Sequence, residues 1–142
     1  MTPNELINIG SNFLKKNNIK SYMIDTELIL SSISGQVREK FLINSNFTLS
    51  QQQVNSFNDL ILRRALGKEP VAYLLNKKEF WSIELDINKD VLIPRPETEI
   101  LVESLVKYFK NLNPFILDIG TGSGCIIISL LQELKNSKGI AI

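Results

Sequence analysis

The chain has 142 residues, room for one domain and part of another, and its 44% hydrophobic and 22% charged residues are neither a disordered nor a low-complexity composition. Lys and Arg exceed Asp and Glu by 16 to 15, a net charge of +1 that is too balanced to argue for nucleic acid or a membrane surface. With no His and one Cys, Ser-His-Asp and Cys-His hydrolase mechanisms, His-based or Cys-cluster metal sites and internal disulfides are all excluded.

Met1-Thr2-Pro3-Asn4-Glu5 lacks a basic segment leading into an apolar one, and no apolar run approaches the roughly 18 residues of a membrane span. The expectation is a cytoplasmic protein. In a chain rich in Lys, Asn and Ile, the four arginines Arg38, Arg63, Arg64 and Arg95 mark places where a planar, five-donor guanidinium is needed. Arg63 and Arg64 are expected to face solvent or a partner.

The first half reads as helices. Thr2-Pro3-Asn4-Glu5 is a capping box with proline at the first helical position, followed by Leu6, Ile9, Gly10, Phe13 and Leu14 on one face and closed by Asn17-Asn18. A second helix is expected from Ser21 to Gly35 with Ile24, Leu28 and Ile29 inward, and Asp25 and Glu27 early in the helix dipole. A short third runs from Val37 to Ile43. Ser50-Gln51-Gln52-Gln53 is a second capping box; Leu49 staples onto Val54, and Val54, Phe57, Ile61 and Ala65 recur at helical spacing before Gly67. Pro70 opens a last short helix through Leu75. Eight basic and six acidic residues over 1–75 read as a solvated surface.

The period then changes to two. Trp81, Ile83, Leu85 and Ile87 alternate with polar residues, Asn88-Lys89-Asp90 reads as a turn, and Val91-Leu92-Ile93 as the returning strand of a hairpin. After Pro94 a helix starts over Pro96 to Glu99, with Leu101, Val102, Leu105, Val106 and Phe109 inward. Phe115-Ile116-Leu117-Asp118-Ile119 is the apolar run of a strand buried on both faces in a parallel sheet. Gly120-Thr121-Gly122-Ser123-Gly124 follows, then a helix from Cys125 to Lys135, a turn over Ser137-Lys138-Gly139, and a strand starting at Ile140.

Strand, glycine loop and helix together let backbone amides approach a ligand at a helix N-terminus. The dinucleotide fingerprint needs a third glycine where Cys125 stands, and Asp118 would oppose a pyrophosphate. A ligand carrying an ammonium and a sulfonium suits both features, so the spacing favours S-adenosylmethionine over NAD; a tight packing turn is the bland alternative. Leu92-Ile93-Pro94-Arg95-Pro96-Glu97-Thr98-Glu99 fixes the backbone on both sides of Arg95 and offers donors and acceptors in a first helical turn. Taken alone, that segment reads better as a capped helix start with local ion pairing. Phe80, Trp81 and Cys125 read as core.

With Glu69-Pro70-Val71-Ala72-Tyr73-Leu74, Glu79-Phe80-Trp81, the Leu92 to Glu99 segment and Asp118 to Gly124 in this order, the chain resembles the HemK/PrmC family of release-factor glutamine methyltransferases over essentially its whole length. The resemblance implies an α/β architecture: a helical substrate-recognition domain over 1–75, a β-hairpin linker over 76–94, and over 95–142 the incomplete start of a Rossmann-like methyltransferase domain. It implies S-adenosylmethionine as cofactor, contacted by Asp118, Gly120, Thr121, Gly122, Ser123 and Gly124, with Arg95, Pro96, Glu97 and Thr98 helping to close the site. The acceptor it implies is the glutamine amide in the Gly-Gly-Gln motif of peptide chain release factors, with neither membrane nor direct nucleic-acid binding expected of this portion. The family usually shows glycine where Asn76 stands, a turn that Asn also adopts.

By the same resemblance, the acidic residue that holds the ribose hydroxyls and the Asn-Pro-Pro-Tyr motif that orients the glutamine amide both lie past Ile142. Without such positioning a weakly nucleophilic amide nitrogen loses much of its rate advantage. Ile116, Ile119, Ile127 and Ile128 are expected to lack strands to pack on, forfeiting roughly 6 to 12 kcal/mol. The expectation is therefore that residues 1–75 fold alone, that the loop makes no competent site, and that the polypeptide is catalytically silent. A release-factor-binding module without enzymatic activity and a nicotinamide-dependent oxidoreductase stay open as alternatives.

Overall fold

A computed structural model describes residues 1–43 and 47–142, which divide into two compact units, Met1–Leu75 and Asn76–Ile142. Among the described residues no helix is long and apolar enough to cross a membrane.

The first unit is helical: α1 (Pro3–Lys16), α2 (Tyr22–Ser34), α3 (Arg38–Ile43), α4 (Gln51–Leu66) and α5 (Val71–Leu75). Both capping boxes form. Thr2 Oγ1 accepts from the Glu5 amide at 3.4 Å while Glu5 Oε2 accepts from the Thr2 amide at 2.8 Å, and Ser50 and Gln53 repeat the exchange at 3.2 and 2.9 Å. Each cap satisfies amides that the helix itself cannot, worth on the order of 1 kcal/mol. Gly35 ends α2 in the left-handed conformation that glycine adopts without strain.

Helices α1, α2 and α4 pack on one another around Leu6, Leu14, Ile29, Leu30, Phe57 and Ile61. Gly10 lets this happen closely, since a Cβ there would stand 2.8 Å from Phe57 Cζ and 3.0 Å from Thr26 Cγ2. Leu49 and Val54 are both buried, as a staple requires. Two inward assignments fail: Ile9 and Ile24 are each 52% exposed. In α2 apolar residues lie nearly all round, so periodicity selects the face poorly; the buried residues are Asp25, Thr26, Ile29 and Leu30. Thr26 is neutralised locally, its hydroxyl donating to the Tyr22 carbonyl at 2.7 Å.

The second unit opens with a hairpin, β1 (Lys77–Phe80) antiparallel to β2 (Ile83–Asp86), pairing Phe80 with Ile83 and Lys77 with Asp86. This corrects the sequence-based hairpin. Its turn is Trp81-Ser82, with φ of 52° and 57°, the two-residue turn whose twist matches paired strands. Val91 to Ile93 form no strand; Asn88 Oδ1 accepts from the Asp90 amide at 2.9 Å and ends the extended run.

Next come α6 (Thr98–Phe109), β3 (Phe115–Asp118), α7 (Cys125–Glu133) and β4 (Lys138–Ala141). Helix α6 begins two residues later than Pro96, because Pro96 and Glu97 form a tighter turn: the Thr98, Glu99 and Ile100 amides each donate three residues back. Only Val102 is fully buried in α6, and Leu101 is exposed. Strands β3 and β4 pair in parallel, Phe115 with Lys138 through Asp118 with Ala141, so β3–α7–β4 is a parallel crossover unit. Ile127 of α7 lies on Gly139, where a Cβ would stand 2.8 Å from Ile127 Cδ1.

Strand β3 is not buried on both faces as its composition suggests. Phe115 and Leu117 are 67% and 54% exposed, since this sheet has two strands and α7 covers one face. Of the four isoleucines expected to lack partners, Ile127 is in fact buried, lying on Gly139 of β4, Ile116 is half-buried, and Ile119 and Ile128 are exposed.

Candidate functional site

The glycine loop caps the β3–β4 pair. Gly120, Gly122 and Gly124 have φ of 76°, 56° and 76°, a conformation that strains any L side chain, so the loop depends on glycine at all three positions. A Cβ on Gly120 or Gly122 would meet nothing within 4 Å, so the space above these two is open; at Gly124 it would meet Ile128 Cδ1 at 3.0 Å. The Gly120 and Thr121 amides donate to the Ile142 carbonyl at 2.7 and 3.1 Å, and the Gly124 amide to the Thr121 carbonyl at 2.9 Å. The Gly122 and Ser123 amides donate to no backbone carbonyl among the described residues. They stand just before the first turn of α7, whose own leading amides lack intrahelical acceptors and carry the positive end of the dipole.

Asp118, at the end of β3, is half-buried and accepts from the Thr121 hydroxyl at 2.9 Å through Oδ2. That bond fixes the loop's first turn and leaves the carboxylate further lone pairs. Cys125 is buried as the first residue of α7.

A cleft of about 390 Å³ opens beside the loop, lined by Gly122 and Ser123 on one side and by Asn76, Asp86, Ile87, Asn88 and Val91 on the other. Sequence reasoning found the first two and missed the other five, because the hairpin wall lies some 35 positions earlier and carries no motif. Strand β1 adds a charge pair nearby: Lys77 Nζ lies 2.5 Å from Glu84 Oε1, and this hydrogen bond first, then the Glu84 and Asp86 charges, hold the exposed Lys77 ammonium above its ordinary pKa against slight desolvation.

Arg95, Pro96 and Glu97 are exposed and Thr98 is half-buried, and none of the four lines that cleft. The local ion pairing read into this segment is absent among the described residues, where Arg95 has no carboxylate partner. Its carboxylate with a structural task is Glu99, whose Oε1 accepts from the Trp81 amide at 2.9 Å. Trp81 is thus not simple core: it stands on the turn, half-buried, with its indole N–H on Glu133 Oε1 at 2.8 Å. Arg63 and Arg64 do not simply face solvent. Arg63 forks onto Glu69, both bonds at 3.0 Å, which first of all holds its pKa above the ordinary value, while Arg64 turns inward to Asp25.

Residues 5–75 match the PrmC N-terminal domain family. The chain belongs to the HemK/PrmC family. Across 134 residues it is 39% identical to the release factor glutamine methyltransferase of Buchnera aphidicola subsp. Acyrthosiphon pisum (strain APS), covering 94% of this chain and 48% of that protein. The corresponding protein of Buchnera aphidicola subsp. Schizaphis graminum (strain Sg) is 46% identical over 107 residues, 75% of this chain and 38% of its own length. A bifunctional methyltransferase of Rickettsia prowazekii (strain Madrid E) is 37% identical over 156 aligned positions, 96% of this chain and 30% of its own length. The chain therefore spans about half, or less, of the length of these HemK/PrmC relatives.

Proposed function

We propose that this chain carries the release-factor-docking part and the first cofactor-binding elements of a protein-glutamine N-methyltransferase, using S-adenosylmethionine and acting in the cytoplasm on the Gly-Gly-Gln glutamine of peptide chain release factors. The observation that carries the cofactor assignment is the loop of three left-handed glycines that closes a parallel strand beside an open cleft. The residues present fit that cofactor: two glycines leave room for close approach, unengaged amides suit a carboxylate, and Asp118 suits a cationic group. When bound, the cofactor supplies an electrophilic methyl carbon on a sulfonium sulfur. On this reading β3–α7–β4 is the opening of a Rossmann-like sheet, Asp118 to Gly124 hold the cofactor, and Arg95 to Thr98 lie on the segment that closes over it.

The chain's residues bind and orient. The Asn-Pro-Pro-Tyr motif that by the family resemblance orients the acceptor amide does not occur in these 142 residues, so we assign to them donor binding rather than the aiming of the acceptor nitrogen. We therefore expect weak donor binding and no methyl transfer by this polypeptide. Nuclear magnetic resonance titration of the labelled chain tests the first point: S-adenosylmethionine should move the Gly120 to Gly124 amides, NAD should not, and Gly122→Ala should remove the response. Equal shifts with NAD would return the oxidoreductase alternative. A radiolabelled assay with a release factor tests the second, and methylated glutamine in that assay would overturn it.

One observation supports folding of the docking part independently of the rest. The buried cluster running from Leu6 to Leu74 lies entirely within Met1–Leu75, so this unit has its own core. Capture of a release factor by the chain in the absence of donor is the expected result; no capture counts against release-factor docking.

A further inference from the structure

Trp81 is held twice. Its backbone N–H donates to Glu99 Oε1 of α6 at 2.9 Å and its indole N–H to Glu133 Oε1 of α7 at 2.8 Å. Carboxylate acceptors make these the stronger class of hydrogen bond, and a turn amide with φ of 52° cannot be satisfied by the ladder beside it. The far end of the same hairpin supplies Asp86, Ile87, Asn88 and Asn76 to the cleft, and is closed by the Ile87 amide donating to the Asn76 carbonyl at 3.0 Å. A two-stranded hairpin of four-residue strands is marginal alone and about 13 Å long, so a small tilt at its turn moves the cleft wall appreciably. Helix α7 carries the opposite wall, Gly122 and Ser123, just before its start, and Glu133 at its last turn.

We propose that Glu99 is a positioning residue: through Trp81 it fixes the hairpin wall at the spacing from the glycine loop at which the cleft accepts the methyl donor. Glu133 supplies a second, more exposed arm of the same clasp. This rests on the donor reading above and adds a residue that neither lines the cleft nor belongs to the glycine loop.

The test is donor titration of the intact chain by nuclear magnetic resonance, for wild type, Glu99→Ala and Glu99→Gln, with S-adenosylmethionine as probe and Trp81 amide exchange recorded alongside. Glu99→Ala should weaken donor binding about tenfold, speed exchange of the Trp81 amide and move the Asp86 to Asn88 resonances. Glu99→Gln keeps a carbonyl oxygen for the Trp81 amide and should restore binding to within about twofold. An alanine variant that binds like wild type overturns the assignment, as does a glutamine variant that fails equally. Loss of dispersed resonances across β3, α7 and β4 in the alanine variant also overturns it, because Glu99 would then act through general stability. A wild-type chain indifferent to the donor overturns the donor reading itself, and this role with it.

Discussion

Arg64 reaches from α4 to Asp25 on α2, Nε to Oδ2 at 2.7 Å across 39 residues of chain, with the two side chains only 17% and 9% exposed. Ser21 donates to the same oxygen at 2.8 Å, and Arg64 Nη1 reaches the Lys68 and Glu69 carbonyls at 3.3 and 3.2 Å. One guanidinium thus joins two helices and closes the turn after α4, where Lys68 has φ of 52°. Removing it leaves a largely buried carboxylate uncompensated. Arg64→Met should lower stability by about 3 kcal/mol in urea unfolding followed by helical circular dichroism, and Arg64→Lys by less, since an ammonium keeps the charge but not the fork. A methionine variant as stable as wild type would mean the pair contributes nothing.

Gly10 presents two opposed effects in one substitution. Alanine in a helix interior is intrinsically better than glycine by about 1 kcal/mol. At this position its Cβ would stand 2.8 Å from Phe57 Cζ and 3.2 Å from Cε1, and the Phe57 ring is fully buried, with no room to yield. Overpacking of this kind costs about 1 to 3 kcal/mol, so the clash wins. Gly10→Ala should be destabilising by about 1 kcal/mol, and in a double-mutant cycle its cost should be smaller in a Phe57→Leu background than in wild type. A stabilised single variant would show that α1 and α4 separate readily.

What could be read from sequence is what is local. Both capping boxes depend on residues three apart, and the glycine loop on five consecutive positions next to an apolar run, so each could be placed before any contact was known. The hairpin could not. Lys77-Lys78-Glu79 looks like a solvated connection, and its turn residues, Trp81 and Ser82, are neither Gly nor Asn; their left-handed backbone is accompanied by a hydrogen bond from the Trp81 amide to the Glu99 carboxylate, 18 positions away. For the same reason sequence alone presents Asp25 as a dipole-facing acid and Arg64 as a surface base, and gives no sign of the cleft's hairpin wall. Composition misled at β3, where an apolar run implies two covered faces and the sheet has two strands among the described residues.

Acid should act on the start of α1 in a defined direction. The Thr2 amide, first of all, and then the Thr2 hydroxyl hold the Glu5 carboxyl below its ordinary value of 4.5, against slight desolvation. A folded pKa lying below the unfolded one means that the contribution is complete above 4.5 and is lost as pH falls through the lower, folded value. Hydrogen exchange at the Thr2 amide should therefore accelerate, beyond its intrinsic pH dependence, on going from pH 5 into the acid range around and below the usual carboxylate pKa. Glu5→Gln keeps the capping box but has no proton to gain, so its exchange should follow the intrinsic curve alone. An identical acid response in both proteins would assign the effect elsewhere.

Ser82 separates backbone strain from side-chain packing at the hairpin turn. It is exposed with φ of 57°, a conformation that costs an L residue roughly 1 to 2 kcal/mol and glycine almost nothing. Glycine gives back about 0.5 to 1 kcal/mol through the freer unfolded chain. Ser82→Gly should thus be stabilising by about 0.5 kcal/mol, whereas Ser82→Val, β-branched at positive φ, should be clearly destabilising. Trp81→Gly relieves the same strain one residue earlier but removes the indole hydrogen bond to Glu133, and should be destabilising despite its easier backbone. Trp81 is the one tryptophan of the chain, so its fluorescence reports unfolding at this turn for both Ser82 variants, and circular dichroism serves for Trp81→Gly. Should Ser82→Gly lower the midpoint and Ser82→Val raise it, the left-handed turn is not what joins β1 to β2.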